Sequence, residues 1–487
     1  MVAPKKEPPR SSLGNSDQLR AVHLRKLNVR EKEEIGAYDS RPWPHSGGAR
    51  AGGCENRFAT TITLLGLRSR FVVQGRRGRR KMDNGESNAS VKIEVSLLQG
   101  EVAPGFEEVA LEFEKNFAER GEVGAACAVY HEGRKVVDLW GGYRDRETLA
   151  SWEKDTLVLV FSATKGISAL TVALAHSRGM IDYDEKVATY WPEFAQNDKE
   201  NVTVRQLLGH QAGLCSIDKP LNAQVLADLD AVASILARQR PAWEPGTRHG
   251  YHYLSLGLYE GELIRRTDPQ HRSLGRFFQD ELAAPLGLSF YIGLPPSVPD
   301  SNVATIEGFH PLQMLMHMNT MPLRMVLGYM NPTSLTRRTF GNPKLSSPAD
   351  LNRPEYRRVE LPAGNGIGEV RSIARAYGVF AAGGYDLGIG EDTLEALTAP
   401  PAPPSLGSRD EVLKAEMSYS LGFNRPSKAF RFGSSEESFG TIGAGGSFGF
   451  ADPDARLGFA YAPNKMGFYI WEDPREKALR DAVYRCL

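Results

Sequence analysis

Residues 156–174 read TLVLVFSATKGISALTVAL, and this stretch decides the fold. Thr156–Phe161 is an apolar run that ends at Ser162. After Gly166, the residues Ile167, Leu170 and Leu174 recur at helical spacing, and Arg178 and Gly179 supply a stop. Upstream, Phe106–Phe117 predicts an amphipathic helix with Phe106, Val109, Phe113 and Phe117 on one face. Ala125–His131 and Lys135–Trp140 are strand-like runs separated by Glu132 and Gly133, a hairpin signal. Downstream, 220–290 predicts several helices, and 295–365, rich in Pro, Asn and Met, predicts a long excursion. Strand-like runs return at Tyr419–Phe423, Ser447–Ala451, Arg456–Ala462 and Phe468–Trp471, and Asp473–Cys486 predicts a closing helix. The expected fold is α+β: an antiparallel sheet from both chain ends flanked by helices, with a mostly helical insertion over about 180–365.

Composition narrows the function. The 487 residues carry 59 Lys and Arg against 59 Asp and Glu, so no global charge points to a nucleic-acid partner. That balance conceals an asymmetry, because residues 1–81 hold 18 bases and 7 acids. Residues 1–91 are expected to be a basic, disordered leader before a body spanning 92–487. The longest uncharged run, Gly308–Leu323, has 16 residues and contains two His, too short and polar for a membrane span. No secretory signal peptide is evident, so the expected location is cytoplasmic. Cys54, Cys127, Cys215 and Cys486 form no CxxC pair, and the ten His include no HExxH. No metal and no cofactor are expected.

Two serine-nucleophile patterns compete. Gly445–Gly449 fits G-x-S-x-G around Ser447, but no His follows His317, and a strand-like run comes after the serine where the elbow needs a helix. The S-x-x-K pattern occurs at Ser151–Lys154, Ser162–Lys165 and Ser216–Lys219. Ser151 lies in a polar turn, and Pro220 disfavours helix at Lys219. Only Ser162 stands where an apolar run meets a helix, with Lys165 one turn later. There the backbone N–H groups favour developing negative charge, and burial would depress the lysine toward a neutral base. From the residues alone, the pair is either catalytic or a helix cap beside a solvated lysine.

The run Phe161–Gly166, the later Tyr190–Phe194, the segment Thr203–Leu214 and the block Pro245–Tyr253 resemble class C β-lactamases and their family VIII carboxylesterase relatives. The resemblance covers roughly 95–485. It implies a serine hydrolase of the β-lactamase/transpeptidase-like fold, with Ser162 as nucleophile, Lys165 or Tyr251 as base, and a small-molecule ester as substrate. It further implies that the backbone N–H groups of Ser162 and Ala444 hold the oxyanion, with Thr441, Gly443 and Tyr253 beside the substrate. Two positions depart from β-lactamases: Tyr253 stands where they place Asn, and Thr441 where they place a cation. Both favour esters over β-lactams. A β-lactamase, a D-amino-acid peptidase, an acyltransferase and a non-catalytic scaffold are the alternatives. Six Met between 314 and 330 suggest either a lid or acyl groove, or an ordinary buried insertion.

Overall fold

The computed structural model describes residues 97–308, 317 and 320–487. The expected leader, 1–91, and Met314, Met316 and Met318 lie outside the described residues.

The chain enters as β1 (Leu98–Val102), α1 (Glu107–Ala118), β2 (Gly124–His131), β3 (Arg134–Asp145) and β4 (Ala150–Ser151). After β5 (Val158–Leu159), the long helix α2 (Thr164–Ser177) follows. Short helices then dominate, interrupted by β6 (Phe290–Ile292) and β7 (Gly366–Gly368). The end of the chain supplies β8 (Tyr419–Ser420), β9 (Phe423–Asn424), β10 (Phe439–Ile442), β11 (Phe448–Asp452) and β12 (Leu457–Pro463).

The main sheet is antiparallel, in the order β1-β3-β2-β12-β11-β10-β9-β8, with β4 paired to β3. Its centre joins the two ends of the fold: β2 pairs with β12 from Leu457 opposite His131 to Pro463 opposite Ala125. Alternation along β2 explains the layers. Ala125, Cys127 and Val129 face a core with Val109, Phe113, Leu479 and Val483 from α1 and the helix Pro474–Cys486. Ala126 and Ala128 face the other core, which holds Ile373 and Tyr377 of the helix Val370–Ala381 and the apolar side of α2. This is the expected α+β architecture of the β-lactamase/transpeptidase-like fold.

Three local expectations change. Tyr419–Phe423 is not one strand, because Leu421 (φ +49°) and Gly422 (φ +90°) turn it back so that Ser420 pairs with Phe423. Phe468–Trp471 is not a strand either. Both edges of β12 are already taken by β2 and β11. The segment instead stacks the Phe468 ring on His317, centroids 3.9 Å apart. Finally, Thr156–Phe161 joins a second sheet, β5-β7-β6, that the sequence did not reveal.

Candidate active site

Ser162 sits in a single turn, Phe161–Ala163, that runs directly into α2. The turn bends sharply: Phe161 has φ +48°, a left-handed value uncommon for a bulky residue. Several bonds hold it. Ser447 Oγ donates to the Val160 carbonyl (2.8 Å), and Thr164 Oγ1 donates to the Phe161 carbonyl (2.5 Å). Thr164 Oγ1 also accepts from the Gly366 N–H (2.8 Å), which ties the turn to β7. Ser447, the G-x-S-x-G serine, therefore buttresses the turn that carries Ser162. Neither Ser151–Lys154 nor Ser216–Lys219 lies on a helix.

Lys165 is 1% exposed, and its Nζ has three neighbours: the Tyr253 carbonyl at 2.5 Å, the Ala363 carbonyl at 2.9 Å and Ser162 Oγ at 3.2 Å. Burial pushes the amine down to about 7, with a smaller opposing pull from Glu260. A neutral amine has two N–H groups and one lone pair. The two carbonyls accept the two N–H groups, so the lone pair is left for the Ser162 hydroxyl. The segment leading to Ala363 is braced by Asn365, whose side chain donates to the Tyr356 and Val359 carbonyls and accepts from the Leu361 N–H.

Tyr251 completes the cluster. Its ring centroid lies 4.7 Å from Lys165 Nζ, and Ser162 hydrogen-bonds its hydroxyl. Burial raises this phenol above its ordinary range, and the bond to Ser162 opposes the rise. Behind it lie the rings of His210, at 5.5 Å, and Tyr419, whose hydroxyl donates to Asp410 Oδ2 (2.8 Å). Burial depresses His210 well below the usual imidazole range and His252 to about 3, so both rings beside Tyr251 are neutral at pH 7. Tyr253 contributes its carbonyl to Lys165, while its ring packs on Phe340 with centroids 5.0 Å apart.

The remaining expected residues divide. Ala444 is exposed and follows Gly443, which packs within van der Waals reach of the turn that carries Ser162. Thr441 is different. It is buried, and its hydroxyl donates to the Ala163 carbonyl (3.1 Å), accepts from the Gly166 N–H (3.0 Å) and bonds the Tyr377 hydroxyl (3.2 Å). One donor and two lone pairs are all engaged, leaving none for the substrate contact expected of this residue. Thr441 clamps β10 to the start of α2. Gly166 is what permits the contact, since a Cβ there would meet Tyr377 Oη at 1.7 Å.

A family model described as β-lactamase matches residues 112–482. The chain belongs to the β-lactamase family. Within the family it is 31% identical over 377 residues to the esterase/β-lactamase LipL of Mycobacterium tuberculosis, covering 75% of this chain and 83% of that protein. The crystal structure of a family VIII carboxylesterase aligns with TM-score 0.70 at 39% identity, covering 80% of this chain and all of that one. A penicillin-binding protein homolog from Caulobacter crescentus aligns with TM-score 0.68 at 35% identity, again over 80% of this chain and all of that one. Both relatives with an esterase in their names, LipL and the family VIII carboxylesterase, thus fall in this chain's family neighbourhood. Among its described residues, no helix is long and apolar enough to cross a membrane.

Sequence reading missed the two carbonyls that clamp Lys165. Main-chain acceptors leave no residue-type signal, and Ala363 lies far from the lysine in the chain. It also missed Glu260, a fully buried carboxyl whose two oxygens have no hydrogen-bond partner among the described residues. Burial pushes that carboxyl up to about 8, with Lys165 opposing.

Proposed function

We propose that the protein is a carboxylesterase that cleaves small to medium acyl esters through an acyl-enzyme on Ser162. The observation that carries this reading is the clamped Lys165 amine, whose remaining direction is Ser162 Oγ at 3.2 Å. Lys165 takes the Ser162 proton as Oγ attacks the ester carbonyl. Tyr251, hydrogen-bonded to Ser162, passes a proton to the departing alkoxide and later accepts one from the water that deacylates the enzyme, while Lys165 returns its proton to Ser162 Oγ as the acyl–oxygen bond breaks. The N–H groups of Ser162 and Ala444 receive the oxyanion.

Esters are favoured over β-lactams by two features. Tyr253 offers no side-chain amide where β-lactamases place Asn. The engaged hydroxyl of Thr441 supplies no cation for a lactam carboxylate. The names of relatives, an esterase/β-lactamase and a family VIII carboxylesterase, support the same class. The test is hydrolysis of p-nitrophenyl butyrate by the wild type and Ser162→Ala, with nitrocefin alongside. Ester turnover that vanishes in the variant and exceeds nitrocefin turnover supports the reading. Turnover surviving in Ser162→Ala overturns it.

A further inference from the structure

Beside the side-chain cluster around Tyr251 the chain exposes an apolar ridge. The helix Leu323–Met330 turns Leu323 (65% exposed), Leu327 (57%) and Met330 (72%) to solvent, at helical spacings of four and three. Its inner side is anchored. Met325 packs on the same cluster as Tyr251 and Phe340, and a Cβ at Gly328 would lie 2.9 Å from Thr336 Oγ1. The ridge is thus an outer face of a helix whose inner face borders the catalytic tyrosine.

The charge around the ridge is one-sided. From Gly308 to Ala349 the sequence contains no Asp or Glu, yet it holds Arg324, Arg337, Arg338 and Lys344. Arg338 pairs with Asp218 (2.6 Å). Arg337 lies over the Tyr329 ring at 4.6 Å, and Arg324, Arg337 and Lys344 have no acidic partner among the described residues. The body around them leans the other way, since residues 82–487 hold 41 bases and 52 acids. A helix with an apolar ridge, flanked by unpaired cations, has the composition that lies in the plane of a lipid surface. The cations select for anionic headgroups. A second copy of this chain, whose body is acidic, is the competing occupant, and concentration-dependent dimerisation separates it from a lipid surface.

We infer that the helix Leu323–Met330, with Arg324 and Arg337, docks the protein onto an anionic lipid surface and brings the Ser162 and Tyr251 cluster close to it. Ester substrates dissolved in that surface then enter without crossing water. Only this second consequence rests on the esterase reading, because docking itself needs no turnover.

The full chain is mixed with vesicles of phosphatidylglycerol and phosphatidylcholine at about 3:7, and with phosphatidylcholine alone, and the sedimenting fraction is measured. The wild type should sediment with the anionic vesicles and stay free of the neutral ones. Leu323→Gln, Leu327→Gln and Met330→Gln combined should weaken binding about tenfold or more, with hydrolysis of dissolved p-nitrophenyl acetate unchanged as the fold control. Arg324→Gln with Arg337→Gln should erase the preference for anionic lipid. Equal sedimentation of wild type and triple variant overturns the inference and assigns any binding to another basic region, such as residues 1–81. A wild type that ignores anionic vesicles overturns it, as does a concentration-dependent dimer that the triple variant abolishes. Failure of the esterase reading alone leaves vesicle binding intact and removes only the hydrolysis control.

Discussion

Lys165 Nζ stands 3.2 Å from Ser162 Oγ, and no carboxylate pairs with that amine among the described residues. With burial holding the amine at about 7, its basic form is lost as pH falls through that value. Initial rates on a soluble ester should therefore rise with pH and level off above about 7, giving an ascending limb in kcat/KM. Lys165→Arg should lose about 10³-fold, since guanidinium keeps its proton. A flat profile from about pH 5 to 9 would remove the lysine from the base role.

Tyr251→Phe keeps the ring beside the Lys165 amine and deletes only the hydroxyl bonded to Ser162. We expect kcat to drop about 10²-fold with KM and thermal midpoint little changed. Steady-state kinetics and a melting curve on the same preparation decide it. Wild-type kcat in the variant would mean that Lys165 acts without a phenol relay.

Glu260 lies in the core with a carboxyl raised to about 8. Its folded value exceeds its unfolded one, so its stability contribution is complete below about 4.5 and declines as pH rises toward 8. Glu260→Gln removes that decline. The variant should gain on the wild type by up to about 4 kcal/mol near pH 8 and by little near pH 4, read by denaturant midpoints at both values. A gain independent of pH would show that packing, not ionisation, changed.

Thr441→Val retains shape and leaves the buried Tyr377 hydroxyl without its partner. The expected cost is about 1–3 kcal/mol of stability, seen as a fall of a few degrees in Tm, with ester kinetics below that temperature nearly unaltered. Ester turnover falling more than about tenfold at unchanged Tm would instead put this hydroxyl on the substrate.

The sequence made the Ser162–Lys165 contact legible because the two residues announce themselves by spacing, and because an apolar run and a helix flank them. β2 and β12 were legible for a related reason: long apolar runs with short turns have few other ways to be buried. Thr441 was legible as a position and not as a role, since its partners on α2 lie far away in the chain. The small sheet β5-β7-β6 has strands of two and three residues, too short to show any period. The ridge on Leu323–Met330 was seen as a Met-rich run, but which side faced water depended on packing against Thr336 and the cluster around Tyr251.

The pairing of β2 with β12 has a consequence for the protein's birth. On the ribosome, β2 emerges long before the strand that completes its hydrogen bonds, Leu457–Pro463. During that interval β2 offers an open edge to any neighbouring nascent chain. α2 likewise has no β10 behind it, so Ser162 and Lys165 are synthesised long before Thr441 can lock their turn. Catalytic competence should therefore appear abruptly, once Leu457–Pro463 has emerged and paired, and a chain halted before Leu457 should be a client for chaperones with no partial enzyme within it.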